Sequence, residues 1–293
     1  QFNVIEKYVS LLTPEKEDSV IKALVDSCVE GIDHAKTVRA MEVVGIIVKK
    51  HYSDILRLTQ LLSEAFVEIC NHFTATYPTH EFNPEVYCNL FTVLVEMLVE
   101  RTHNQIDPTI LSSHFITMLQ HTDPIRYPKF ICQWLGLFSH RCVLYSLSKL
   151  SDKKNQFLLT YYDLFKTYLE SIKPLVNLDT PSVRQIFAAT LNCIYTLRSC
   201  FPAFMSFDSL QLAMAIPYKA TSLRLPILTA SSNNVHSENY ELFIKKVPAE
   251  LINELKSGNA SMVLHILQKE TAHPLVIVVA LLKMNSLDRK SVV

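Results

Sequence analysis

From Leu58 to Phe73 the apolar residues fall at intervals of three and four, as Leu58, Leu61, Leu62, Ala65, Phe66, Ile69 and Phe73. That spacing places them on one face of an α-helix. The same period returns in Leu158, Tyr161, Tyr162, Phe165, Leu169 and Ile172, and again in Val183, Ile186, Phe187, Leu191, Ile194, Leu197 and Phe201. A chain patterned this way must pack helix on helix to cover its apolar stripes. Starts are marked by a capping residue followed by proline, whose missing N–H costs nothing at the first helical position. Thr13-Pro14, Asn83-Pro84, Asp107-Pro108 and Thr180-Pro181 fit this rule, and Gly31 and Gly258 read as helix stops. Strand signals are nearly absent, since no Asn-Gly or Asp-Gly turn occurs. The β-branched run Val276–Val279 is followed by Ala280, Leu281, Leu282 and Lys283, which favour a buried last helix. The expectation is an all-α fold of stacked antiparallel helix pairs, HEAT-like and of MIF4G type, forming a single domain over residues 1–293. Its texture breaks at 217–237, where Pro217, Pro226 and Ser231-Ser232-Asn233-Asn234 predict an extended, irregular segment.

Composition removes several functions. Twenty-eight basic side chains balance twenty-eight acidic ones, so no net field draws nucleic acid or an anionic membrane. The pairs Lys49-Lys50, Lys153-Lys154 and Lys245-Lys246 are isolated, and the aromatic residues keep helical spacing, which assigns them to the core rather than to base stacking. Strong direct nucleic-acid binding is not expected. The only glycines are Gly31, Gly45, Gly136 and Gly258, too far apart to write a P-loop or a dinucleotide fingerprint. Seven cysteines without a C-x-x-C spacing read as buried, reduced thiols of a cytoplasmic or nuclear protein. The longest apolar run, Leu275–Leu282, falls short of the ~20 residues that span a bilayer. The chain opens at Gln1 with neither an initiator Met nor a secretory signal, and reads as part of a longer protein.

No catalytic, cofactor or metal constellation is readable. Cys70 and His72 lie two residues apart, which on a helix turns their side chains about 200° from one another and prevents chelation of one ion. No H-E-x-x-H, nucleophile elbow or EF-hand loop occurs. A Cys–His pair assembled from distant segments is the one enzymatic arrangement left open.

The segment Pro128-Lys-Phe-Ile-Cys-Gln-Trp-Leu-Gly-Leu-Phe-Ser-His-Arg141 carries the only Trp, on a helix apolar nearly all round. Trp134 is therefore expected in the core. Ser139, His140 and Arg141 follow at once, and on physical grounds satisfy the ends of neighbouring helices, His and Arg as donors to C-terminal carbonyls.

At this helix the sequence resembles the C-terminal NOT superfamily homology domain of the large scaffold subunit of the CCR–NOT mRNA deadenylase complex. Pro128, Phe130, Trp134, Leu135, Phe138, Ser139, His140 and Arg141 stand in that family's pattern. Its later signatures are matched by Leu164-Phe165, Pro174-Leu175, Phe201-Pro202-Ala203-Phe204, Ile216-Pro217, Leu223-Arg224 and Ile227-Leu228. The resemblance is clearest over 123–230. Residues 51–73 resemble the preceding helix and His273-Pro274 the start of the last part, while the chain is shorter before Pro128 and between Asn259 and His273.

The resemblance implies a non-catalytic scaffold that anchors the smaller NOT-box subunits and receives short peptides from RNA-binding regulators, in mRNA deadenylation, decay and translational repression. It places a family signature in 216–228, where apolar residues lie between two prolines, so Tyr218, Leu223 and Arg224 are the expected partner-binding residues, the alternative being a loop that caps the core with its apolar side chains; Pro128, Trp134, Ser139, His140, Arg141, Phe201, Pro202, Ile216 and Pro217 are structural signature positions. Without the resemblance, an unrelated HEAT-type adaptor, such as a transport receptor or phosphatase regulatory subunit, and an enzyme with a distant Cys or His site stay open.

Overall fold

All four capped prolines open a helix in the computed structural model. It describes residues 2–30, 34–51, 54–102, 107–150, 155–217, 219–230 and 253, and among these no strand occurs. The fold is all-α, as the apolar period predicts. The last helix expected near 275–283 and the stops at Gly31 and Gly258 lie outside the described residues.

The chain divides into two compact units, residues 1–164 and 165–293. The first holds α1 (Phe2–Ser10), α2 (Pro14–Glu30), α3 (His34–Lys50), α4 (Ile55–Thr76), α5 (Pro84–Thr102), α6 (Pro108–His121), α7 (Ile131–Phe138) and α8 (Arg141–Ser148). The boundary falls within α9 (Gln156–Ser171). The second unit continues with α10 (Pro181–Cys200), α11 (Pro202–Phe207), α12 (Ser209–Ala215) and α13 (Thr221–Ala230).

Within the first unit α2 packs on both α3 and α4, and α4 on α5, the neighbour pattern of stacked helix pairs. Phe73, one end of the α4 stripe, is fully buried. Phe82, Tyr87, Tyr127 and Phe130 meet it edge-on at centroid separations of 4.7–5.4 Å. Edge-to-face packing sets the positive rim of one ring against the negative face of the next. Trp134 is 1% exposed, stacks on Phe138 at 4.8 Å and donates its indole N–H to the Leu119 carbonyl at 3.0 Å. Phe138 in turn lies flat against Tyr161, whose hydroxyl donates to the Phe138 carbonyl.

A buried charge lies where α2, α3 and α4 meet. Glu17 on α2 is fully buried, yet Lys50 Nζ approaches it at 2.7 Å and His51 Nε2 at 2.8 Å. Arg57 Nη2 stands 3.8 Å away. Lys50 also donates to the carbonyls of Val9 and Leu12. Burial pushes the Glu17 carboxyl up, but the hydrogen bonds and charges of Lys50 and His51 outweigh it and hold the group below its ordinary value. The carboxylate thus joins α2 to the end of α3 and the start of α4.

Candidate partner-docking surface

The C-terminal segment differs from its sequence reading. Residues 221–230 form α13 rather than an extended strap, and Pro226 lies inside it. Pro226 has no N–H for the Ser222 carbonyl, a loss that usually ends a helix. Here the buried side of the turn holds: Leu223, Ile227 and Leu228 recur at helical spacing and are each at most 1% exposed. Arg224 is completely buried. Its Nε and Nη2 donate to the Ile216 carbonyl at 3.2 and 3.0 Å. Ile216 is the C-cap of α12, so the guanidinium closes the carboxyl end of that helix, where a cation also suits the helix dipole. Burial lowers the Arg224 pKa to about 10, which leaves it charged near neutrality.

Two expected docking residues are therefore corrected. Leu223 and Arg224 face the interior of the second unit because the segment is helical, and helical spacing carries them to its apolar side. Tyr218 lies outside the described residues. The outward face of α13 instead presents Leu225, 51% exposed, and Thr229 one turn later. Arg198 on α10 donates from Nη1 to Thr229 Oγ1 at 3.0 Å, joining the outer faces of the two helices. Tyr195, one turn before Arg198, is 51% exposed. Tyr195, Arg198 and Leu225 are thus exposed aromatic, cationic and aliphatic side chains on two helices that pack together, the side-chain mix that anchors protein interfaces. Spacing alone could have found it: Leu225 is out of phase with Leu223, Ile227 and Leu228.

The signature triplet joins α7 to α8. Ser139 is the C-cap of α7 and donates its hydroxyl to the Leu135 carbonyl at 2.8 Å. His140 is the N-cap of α8, its Nδ1 accepting the Cys142 amide at 3.4 Å. An accepting Nδ1 puts the ring proton on Nε2, which faces Glu96 at 3.7 Å. Arg141 reaches the same carboxylate at 3.2 Å from an exposed position. Pro128 opens a 3₁₀ turn before α7, and Pro202 opens α11 directly after the buried Phe201. Ile216 and Pro217 are buried at the end of α12.

Three of the thiols have the wrong electrostatics for nucleophiles. Burial pushes Cys70 up to about 12 and raises Cys88 and Cys132, whereas a reactive thiol needs its pKa lowered. Cys70 points into the core while His72, on another face of α4, bonds Asp26 of α2. Among the described residues, no helix is long and apolar enough to cross a membrane.

Residues 94–274 match the family model described as the CCR4-Not complex component Not1. The chain belongs to the Not1 family. The resemblance read from the Pro128–Arg141 motif is thus confirmed, and an unrelated HEAT-type adaptor is set aside. Among curated proteins, the chain is 26% identical over 187 residues to the general negative regulator of transcription subunit 1 of Saccharomyces cerevisiae, an alignment taking in 57% of this chain and 9% of the yeast protein. Among solved structures it is similar to the NOT1 superfamily homology domain from Chaetomium thermophilum, with a TM-score of 0.62 and 21% identity over 73% of this chain and 45% of that one. It is also similar to a Not1 C-terminal domain in complex with Not4, with a TM-score of 0.57 and 20% identity over 73% of this chain and 46% of that one. The chain spans less than half the length of these relatives, and the structural likeness establishes the Not1-type helical fold.

Proposed function

We propose that this chain is a non-catalytic scaffold domain that docks the smaller NOT-box subunits of a CCR4–NOT complex and serves mRNA deadenylation, decay and translational repression. The Not1 family match over residues 94–274 carries this reading. It is supported by a structural relative solved in complex with Not4, and by the raised pKa values of Cys70, Cys88 and Cys132, which disfavour those three thiols as nucleophiles. The cytoplasm, with the nucleus as a second compartment, suits such a role, and short peptides of RNA-binding regulators are a further class of partner.

The docking surface we assign is the outer face of α10 and α13. Tyr195 and Leu225 supply apolar area and Arg198 a fixed cation, while buried Arg224 holds α13 in place behind them. The double variant Tyr195→Ala, Leu225→Asp tests it, because both positions are half-exposed and neither reaches the core. The expected outcome is an unchanged melting temperature and at least about a tenfold loss of affinity for the NOT-box subunits, the size of loss that follows removal of one interface anchor. Undiminished binding by the folded variant would move the interface toward the residues after Pro248.

A further inference from the structure

On the face of the first unit where α2 packs against α4, three side chains converge that are separated by up to 46 residues in sequence. Glu68 and His72 stand one turn apart on α4, four residues being the spacing that sets two side chains on one helical face. Asp26 comes from α2, and its Oδ1 meets His72 Nε2. A carboxylate oxygen of each acid and an imidazole nitrogen all lie within 4.8 Å of one another. We infer that Asp26, Glu68 and His72 form a zinc-binding site that cross-links α2 to α4.

Four features favour zinc. The donor set of one imidazole and two carboxylates is of borderline softness, suited to Zn²⁺ rather than to Mg²⁺ or Ca²⁺, which prefer oxygen alone, or to Cu(I), which prefers sulfur. Three protein ligands leave one tetrahedral position for water. The site is open enough to supply that water, with side-chain exposures of 35% for Asp26, 21% for Glu68 and 26% for His72. The contact between Asp26 and His72 already brings a donor of α2 and a donor of α4 together across the helix pair.

The surroundings supply both attraction and competition. A cleft beside the site is lined by Asp18, Glu64 and Glu68, and also by Lys22. Lys22 Nζ stands 3.7 Å from Glu68 Oε1 and is 64% exposed. Its ammonium competes with the ion for Glu68, and its exposed stem lets it swing aside. Cys70 has no part in the site, because its side chain faces the core.

The test is a calorimetric titration of the purified 293-residue protein, stripped with chelator, with Zn²⁺ alone, alongside melting curves with and without the ion. One saturable site per chain and a raised melting temperature in Zn²⁺ are expected. Glu68→Gln, which keeps the side-chain shape, and His72→Gln each weaken binding by at least about tenfold, the lower bound for disturbing a metal's immediate partners. Glu68→Gln should melt as the parent does in chelator, so its lost affinity reports on the ion. Lys22→Met tightens binding, and Cys70→Ala leaves it unchanged. Absence of a saturable site, a site that survives His72→Gln, or a site abolished by Cys70→Ala would overturn the assignment.

Discussion

Trp134→Ala is expected to destabilise the protein by about 3–5 kcal/mol, the range found when a buried aromatic is truncated. Two losses combine. The indole leaves a cavity beside Phe138, whose ring stacks on it at 4.8 Å, and the Leu119 carbonyl at the end of α6 loses its N–H donor. A buried acceptor left without its partner adds a desolvation cost to the packing loss. Trp134→Phe fills part of the space and should lose less than half as much, so chemical denaturation of both variants separates volume from hydrogen bonding. Loss of partner binding by Trp134→Ala at an unchanged melting temperature would contradict the core assignment.

Glu17→Ala is expected to cost about 3–5 kcal/mol, because it removes the anion around which Lys50, His51 and Arg57 are gathered. The cost lies mainly in the cations left behind. Lys50→Met combined with Glu17→Leu should therefore lose much less than the two single changes added together. The same carboxylate sets an acid dependence. Its folded pKa lies below the ordinary value of 4.5, so its stabilisation is complete above that value and is lost as pH falls through the folded pKa. Below the ordinary carboxylate range the parent protein and Glu17→Leu should therefore converge in melting temperature. A difference that widens with acid would contradict the assignment.

How much was legible follows from the range of each interaction. The proline-capped starts at Pro14, Pro84, Pro108 and Pro181 appear where the sequence places them, because a cap is decided within four residues. The burial of Trp134 was legible for the same reason, its helix being apolar nearly all round. Within the strap expected at 217–237, residues 221–230 form α13, because burial of Leu223, Ile227 and Leu228 outweighs the bond that Pro226 cannot make; 231–237 lie outside the described residues. With that misreading went the two expected docking residues, Leu223 and Arg224. A guanidinium in the core is unusual enough that no pattern announces it; the carbonyl of Ile216, eight residues away, accepts two of its hydrogen bonds. The N-cap role of His140 was not legible, since its two nitrogens permit donor and acceptor roles alike. The Glu17 cluster and the Asp26–Glu68–His72 site were invisible because each joins one residue of α2 to partners 33 to 46 residues further on, which meet only when α2 packs on α3 and α4.

Isothermal titration of the purified chain with the smaller NOT-box subunits tests the scaffold reading most directly. The account predicts a one-to-one complex with a dissociation constant at or below about 1 μM, the affinity of a specific standard-size interface. It also predicts that Tyr195→Ala, Leu225→Asp weakens that complex at an unchanged melting temperature. A well-folded chain that shows no heat of binding to the NOT-box subunits would contradict it.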